Sequence, residues 1–130
     1  TKFEAEKFNY DLMIIDSAPG TGCPVIAALK DANFAILVTE PTLSAFSDLK
    51  KVLKVVEHFK IPWGLIVNKW GVNNVLATEI RKYANKKFLG KVSYDRKIFQ
   101  AVSNLTPILE TRLKAREEIE KIYCKLNKIL

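Results

Sequence analysis

Short, continuous apolar runs alternate along this chain with stretches of helical periodicity, and this alternation limits the fold more than any other feature. The runs lie at about 10–16, 33–39 and 62–68, with a weaker one at 87–92. A run that is apolar at consecutive positions is typical of a strand buried on both faces. Strands that alternate with helices form a parallel sheet, because parallel neighbours need a long crossover connection. The sequence therefore predicts a three-layer αβα fold with helices on both faces of a parallel sheet.

Five helical stretches are predicted between and after these strands. In the longest early one, apolar residues recur at helical spacing after Ser44, which is the predicted N-cap. A chain of 130 residues is long enough for one domain with a buried core and too short for two, so we expect residues 1–130 to form a single piece. The predicted helices lie at about 24–31, 44–60, 74–85, 96–104 and 110–129.

The charged residues are unevenly distributed along the chain. Residues 1–43 carry three Lys and six acidic residues, whereas residues 44–130 carry 18 basic and eight acidic residues. A basic half makes a nucleic acid or an acidic membrane surface a candidate partner. However, the lysines are spaced along the solvent-facing sides of the predicted helices, and the usual nucleic-acid-binding motifs are absent. We therefore expect a solvated, lysine-rich surface and no nucleic-acid site.

The same composition excludes several classes of protein. No uncharged apolar run approaches the ~20 residues of a membrane-spanning helix, so no transmembrane segment is expected. Cys23 and Cys124 are the only cysteines, and no Cys/His cluster could hold zinc or an iron–sulfur centre. A reducing, cytoplasmic environment is the simplest inference from this cysteine usage. The chain begins at Thr1 and not at Met, which favours a piece of a longer protein.

Ligands of parallel α/β sheets bind beyond the carboxyl ends of the strands, and the first predicted strand end is the most informative one. Asp16 stands at its tip and precedes a turn at Pro19 and Gly20. The Asp16 carboxylate could hold Mg²⁺ through water, while Gly20 would let a backbone N–H approach a phosphate closely. Asp16 could equally cap its own loop. At the third strand end, Asn68 could read a purine edge with its amide or cap a turn.

Four segments resemble the MinD/ParA-like P-loop ATPases, and within them the branch whose ATPase domain carries an inserted ferredoxin-like module with iron–sulfur clusters. The resemblance covers about residues 10–109. The segments are DSAPGTGCPV at 16–25, VTEPT at 38–42 with Asp-Leu at 48–49, GLIVNK at 64–69 and VSYDR at 92–96. This likeness implies that Asp16 serves the Mg²⁺ ion, and that Pro19 and Gly20 form the switch that senses the γ-phosphate. It places the other nucleotide-binding residues on the base side, at Asn68, Lys69, Ser93, Tyr94 and Asp95.

The sequence departs from that family in one large respect. No G-x-x-x-x-G-K-[ST] motif occurs, nor the variant with an early lysine, since the glycines fall only at 20, 22, 64, 71 and 90. In the family, that loop and the ferredoxin-like insert precede the strand that ends at Asp16. We therefore expect the C-terminal half of a P-loop NTPase fold, whose partner is the missing N-terminal half. Milder departures are Ala18 for a usual second Pro, Lys69 for a common Arg, and Val-Ser at 92–93 for Ile-Pro.

Two functional classes follow from these observations. The first is an ATP- and Mg²⁺-binding ATPase, expected to form a homodimer, whose complete form carries an iron–sulfur cluster in the upstream insert and serves iron–sulfur or electron-transfer work. This chain alone is then expected to be inactive, because the loop that binds phosphate is missing. The second is a non-catalytic α/β interaction module that binds a partner through its basic half.

The missing half also leads to a structural expectation. In the family, the strand that leads into the phosphate loop lies between the strands that match 10–16 and 33–39. Unpaired buried backbone groups cost about 1–3 kcal/mol each, so such a gap should not stay open. We therefore expect the 10–16 strand to pair directly with 33–39 or with a second copy of the chain.

Overall fold

The computed structural model describes Lys7 and residues 9–130, and over these residues the chain alternates helices and strands as far as the third strand. Two short 3₁₀ turns, Asn85–Lys87 and Ile108–Glu110, precede the third strand and the last helix. The helices and strands in chain order are α1 (Cys23–Leu29), β1 (Ala35–Thr39), α2 (Leu43–His58), β2 (Trp63–Trp70), α3 (Asn74–Ala84), β3 (Phe88–Ser93), α4 (Arg96–Ser103) and α5 (Lys114–Leu126). None of the described helices is long and apolar enough to cross a membrane.

The strands form one parallel sheet in the order β1-β2-β3. The register between β1 and β2 is continuous and runs from Ala35 opposite Trp63 to Thr39 opposite Val67. The register between β2 and β3 shifts after Val67, and within that irregularity Lys69 adopts a φ of 51°. The predicted α/β fold with a parallel sheet is therefore confirmed.

The main core lies between the sheet and helices α2 and α3. Leu65 and Val67 of β2 are completely buried, in one cluster with Leu53 and Val56 of α2 and Ile80 of α3. These side chains come from one face of β2 and from the apolar stripes of two amphipathic helices, as the helical spacing in the sequence predicts.

The last helix, α5, covers the other face of the sheet at β3. Ile66 and Gly90 are register partners, and Ile66 points away from the main core because its neighbours Leu65 and Val67 point into it. A Cβ at Gly90 would collide with the side chain of Ile122, so the glycine is what lets α5 approach the strand closely. Helices thus pack on both faces of the sheet, which agrees with the layered architecture that the sequence predicts.

The predicted strand at 10–16 is wrong. These residues form no strand in the structure, and among the described residues β1 pairs only with β2. A cleft of about 930 Å³, here called the edge cleft, is lined by both residues 10–15 and β1. An apolar run becomes a strand only when a neighbour completes its backbone hydrogen bonds, and no described segment does so here. Leu12 and Ile14 are consequently 57% and 85% exposed.

This result also overturns the expectation that the 10–16 segment pairs directly with 33–39. The two segments face a common cleft and share no ladder in the described chain. Pairing with a second copy stays a prediction.

The remaining boundaries differ from the predicted ones by a few residues. β2 continues to Trp70, and α2 begins at Leu43 because Thr42, not Ser44, is its N-cap. The Thr42 hydroxyl accepts a hydrogen bond from the backbone N–H of Ala45 at 3.2 Å. The last helix begins at Lys114 rather than 110, because a separate 3₁₀ turn at Ile108–Glu110 precedes it.

Candidate functional site

The carboxyl ends of β1 and β2 bring predicted site residues together at the edge cleft. Glu40 follows β1, and Asn68 and Lys69 lie near the end of β2; all three line the cleft. Pro19 and Gly20 line the same cleft, although they come from the loop before α1. The structure therefore joins four of the predicted residues in one cavity, with Glu40 as a fifth member.

An ion pair in the lining of this cavity links the ends of β1 and β2. Lys69 Nζ lies 2.5 Å from Glu40 Oε2, with both side chains partly exposed. The hydrogen bond to Glu40, followed by the attraction of its charge, raises the pKa of Lys69 above its ordinary value. The left-handed φ of Lys69 is uncommon for a residue with a side chain, so the backbone is strained where the pair forms.

Asn68 adopts the turn-capping geometry that the sequence leaves open beside base recognition. Its Oδ1 atom accepts a hydrogen bond from the backbone N–H of Lys69 at 2.8 Å. This bond uses the amide oxygen and leaves the two amide hydrogens outside it. The side chain is half-buried and lines the edge cleft. Its NH₂ group takes no part in the bond to Lys69.

Only part of the loop that carries Asp16 lines the edge cleft. Gly20 has a φ of 107°, which favours glycine, and no atom lies within 4 Å of where its Cβ would be. Asp16 is exposed and does not line the edge cleft. Within the described part of the chain, no group of three or more His, Cys, Asp or Glu residues could hold a metal ion. A lone carboxylate fits Mg²⁺ only as one ligand among water and phosphate oxygens.

The base-side segment Ser93–Asp95 lies one strand further along, at the end of β3, and outside the edge cleft. The backbone N–H of Tyr94 donates to the carbonyl oxygen of Trp70 at 2.8 Å, which ties the segment to the end of β2. Asp95 caps α4, because its Oδ1 accepts from the backbone N–H of Lys97 at 2.8 Å. The Asp95 carboxylate therefore already has a structural partner.

One residue at this end of the sheet is missed by the motif-based prediction. Glu118 of α5 is 8% exposed and accepts two hydrogen bonds from Ser93, one from its N–H and one from its hydroxyl. A signal for it exists in the sequence. Glu118 is three residues after Ala115 and four before Ile122, so a carboxylate stands on the buried stripe of the helix.

A second cavity, of about 540 Å³, lies at the opposite end of the sheet, beside the first residue of β3. Arg81 stacks over the ring of Phe88 at 5.6 Å, and Lys125 Nζ donates to the Phe88 carbonyl oxygen at 2.6 Å. The four cations that line this basic cavity form no ion pair with any described residue: Arg81, Lys82, Lys86 and Lys125. It is a concentrated positive surface at the amino end of β3, away from the carboxyl ends of the strands.

Sequence comparison finds longer relatives, while no protein-family model matches the chain. An uncharacterized protein of Methanocaldococcus jannaschii is 30% identical over 129 residues, which are 99% of this chain and 44% of that protein. An iron–sulfur cluster carrier protein of the same organism is 30% identical, over 89% of this chain and 46% of that protein. A Dictyostelium discoideum homolog of the cytosolic Fe-S cluster assembly factor NUBP2 is 32% identical over 65% of this chain. The chain spans less than half the length of these relatives.

Structure comparison finds the same fold in plasmid partition proteins. One, from Borrelia burgdorferi B31 and bound to AMPPNP, superposes with a TM-score of 0.66 at 19% identity, over 79% of this chain and 43% of that one. A second Borrelia burgdorferi plasmid partition protein gives a TM-score of 0.58 at 20% identity. The likeness expected from the sequence motifs is confirmed in the fold.

Proposed function

We propose that this chain, a ParA-like ATPase fragment related to iron–sulfur cluster carriers, forms the base side and the γ-phosphate switch of an ATP site. The observation that carries the proposal is the edge cleft, where Gly20, Glu40, Asn68 and Lys69 surround one cavity at the carboxyl ends of parallel strands. Ligands of open α/β sheets bind at this end. The bound AMPPNP of the plasmid partition protein with the same fold supports a nucleotide as the ligand class.

Each predicted site residue has a role in this proposal. Asp16 orients Mg²⁺ through water, and the turn at Pro19 and Gly20 places a backbone N–H near the γ-phosphate. Asn68 donates its free amide hydrogens to the purine, with Lys69 beside it. The base-side residues Ser93, Tyr94 and Asp95 lie along the other margin of the base. When bound, Mg²⁺ would neutralise charge that develops on the phosphates.

The phosphate-binding loop belongs, in this proposal, to the remaining half of a longer protein that contains this chain (the complete protein). Two findings support this division. The matched relatives are more than twice as long as the matched region, and β1, which pairs only with β2 among the described residues, borders a cleft of about 930 Å³. A strand from the other half would complete the backbone hydrogen bonds of both β1 and the 10–16 segment. The isolated chain is then inactive as an ATPase, and the complete protein is proposed to act as a homodimer.

The proposed role of the complete protein is ATP-driven work on iron–sulfur clusters in the cytoplasm. The name of the related carrier protein supports the cluster, and the name of the related cytosolic assembly factor supports the location. Cys23 and Cys124 are exposed and belong to no metal-binding group in the described chain. The residues that hold a cluster would therefore lie in the part of the complete protein outside this chain.

Titration calorimetry with MgATP tests the division of the site. We expect the complete protein to bind MgATP and the isolated 130 residues to bind it weakly or not at all, because most of the contacts to phosphate come from the missing loop. Tight, Mg²⁺-dependent binding of ATP to the isolated chain would contradict the proposal.

A substitution in the complete protein tests the metal role. Asp16→Asn is expected to abolish ATP hydrolysis and to leave the melting temperature unchanged, since Asp16 is exposed and contributes charge rather than packing. Glu57→Gln, which removes an exposed carboxylate that lies outside the edge cleft, is the control. Wild-type turnover in the Asp16→Asn protein would show that the metal ligand is elsewhere.

Asn68→Ala in the complete protein should weaken the binding of adenine nucleotides more than the binding of guanine nucleotides.

The basic cavity supports a second candidate function, an interaction module that uses the positive half of the chain. Arg81, Lys82, Lys86 and Lys125 crowd like charges around one concave surface without an acidic partner among the described residues. An acidic polypeptide segment would relieve this repulsion. Binding of poly-glutamate that is lost in an Arg81→Ala/Lys82→Ala/Lys86→Ala variant, but kept in an Asp16→Asn variant, would favour this function.

A further inference from the structure

A buried carboxylate faces the predicted base-binding segment from α5. Glu118 Oε2 accepts a hydrogen bond from the backbone N–H of Ser93 at 2.6 Å, and Glu118 Oε1 accepts one from the Ser93 hydroxyl at 2.7 Å. No described cation lies within ion-pair distance of this carboxylate. Burial of a charge without a counter-ion is costly, so its two hydrogen bonds must compensate for lost water.

Packing of α5 does not require this carboxylate. The helix is already held on β3 by the buried side chains of Ala115 and Ile122, and Gly90 makes room for that contact. An apolar side chain at position 118 would fill the same space but would leave the N–H and the hydroxyl of Ser93 without their acceptor. The carboxylate therefore serves Ser93, because it holds both the N–H and the hydroxyl of that residue in one hydrogen-bonded arrangement.

The geometry fixes that state. A carboxylate without a proton can only accept, so the Ser93 hydroxyl must donate its single hydrogen to Glu118. The lone pairs of Ser93 Oγ then remain as acceptors for a ligand. The next residue, Tyr94, is anchored by its own bond to Trp70, so the hydroxyl is presented from a segment fixed on both sides.

We propose that Glu118 is a specificity-determining positioning residue, which makes the Ser93 hydroxyl an acceptor for the exocyclic amino group of adenine. The inference rests on the proposed ATP site. A purine with an oxygen at that ring position, as in inosine or guanine nucleotides, would meet acceptor with acceptor and bind less well.

The conservative variant Glu118→Gln should reverse the direction of the hydrogen bond between the Ser93 hydroxyl and residue 118. Its amide oxygen must still accept from the Ser93 N–H, which turns the amide nitrogen toward the Ser93 hydroxyl as a donor. The hydroxyl would then accept from Gln and donate outward. If Glu118 had only a structural role, its substitution would change the affinities for ATP and for inosine triphosphate by the same factor. The proposed role predicts instead that the ratio of the two affinities changes.

The test is the ratio of ATP to inosine triphosphate affinity, measured by calorimetry on the complete protein. Glu118→Gln should lower that ratio by roughly tenfold, as expected for one hydrogen bond to a buried polar group. Ser93→Ala should lower it similarly, and the double variant should add little, because both changes act through one hydroxyl. Glu117→Gln, the exposed neighbour with the same change of charge, should leave the ratio as in the wild type.

The possible outcomes are distinguishable. If the wild-type protein prefers ATP and Glu118→Gln keeps that preference, the role of Glu118 is wrong while the ATP site stands. If the wild-type protein binds neither nucleotide, the ATP site is wrong and the role of Glu118 falls with it. If Glu118→Gln fails to fold, Ser93→Ala decides, and an unchanged ratio in that variant overturns the proposal.

Discussion

At the β3 side of the sheet, α5 packs closely on the strand and Ile122 fills the space above Gly90, whereas at the β1 side Ile36 and Val38 remain 45% and 61% exposed. The first side is closed by this chain's own residues, through apolar packing and the Glu118–Ser93 hydrogen bonds. The second side borders the edge cleft, with the 10–16 segment beyond it. Both sides hold apolar β-type residues, so the difference lies in whether a described segment of the chain packs against them.

This contrast shows what an exposed apolar edge means in a sheet of buried strands. Apolar side chains and unpaired backbone groups at an edge are a template for another strand. In this chain the template lies next to the residues predicted to bind nucleotide. In the proposed function, one part of the complete protein would both pair with this edge and supply the phosphate-binding loop.

The largest expected effect separates the two sides directly. Ile122→Ala should destabilise the isolated chain by about 2–5 kcal/mol, because it leaves a cavity under α5 at a residue that is 7% exposed. Val38→Ala should change stability by less than about 0.5 kcal/mol in the isolated chain, since its side chain is mostly in solvent. Urea unfolding measures both. A Val38→Ala effect as large as that of Ile122→Ala would show that the β1 side is already covered.

A smaller effect tests the close approach at β3. Gly90→Ala should cost about 1–3 kcal/mol, because the added methyl group forces the side chain of Ile122 to move in a packed interface. Gly22→Ala is the control, since a Cβ there meets only Pro24 Cδ at 3.7 Å. Thermal unfolding of the two variants should rank them clearly. Equal stability of the Gly90→Ala and wild-type chains would mean that α5 is not seated on β3 as described.

The smallest expected effect concerns the exposed ion pair between β1 and β2. Glu40 raises the pKa of Lys69 in the folded chain, so the stabilisation is fully present below the unfolded pKa and is lost as pH rises through the raised folded value. The relevant range therefore begins near the ordinary value of 10.5. In Lys69→Arg the cation persists at higher pH, and the melting temperature should fall less between about pH 9 and about pH 11.5 than in the wild type. Parallel pH profiles of the two proteins would contradict the pairing.

The sequence predicted the regular part of this fold well because its signals are local. Continuous apolar runs identified β1, β2 and β3 to within a few residues. A proline at position 24 marked the start of α1, and helical spacing identified the other four described helices. The run at 10–16 carried the same local signal and still formed no strand. Its pattern reports what the residues prefer when a partner is present, and a pattern cannot report whether the partner is there.

The candidate site likewise contains some features that the sequence predicted and others that only the structure shows. Motifs led to Gly20, whose positive φ agrees with a tight turn, and to Asn68 and Lys69, which share the edge cleft. The Glu40–Lys69 pair and the Glu118–Ser93 bonds depend on how strands and helices are placed in space. Only the second left a trace in the sequence, as a carboxylate on an apolar helical stripe.

The backbone N–H groups of β1 point alternately toward β2 and toward the edge cleft. The N–H of Ala35 donates to the carbonyl oxygen of Pro62, on the β2 side. Since successive N–H groups of a strand point to opposite edges, those of Leu37 and Thr39 also point to β2, and those of Ile36 and Val38 point into the edge cleft.

Amide hydrogen exchange of Ile36 and Val38, compared between the isolated chain and the complete protein, tests the central claim most directly. We predict fast exchange at both amides in the isolated chain and exchange at least about 100-fold slower in the complete protein, where a strand from the other half pairs with β1. Leu37, paired with β2 in either case, should be protected in both proteins. Exchange at Ile36 and Val38 that is equally fast in the complete protein would contradict the claim that this edge is completed by the rest of the molecule.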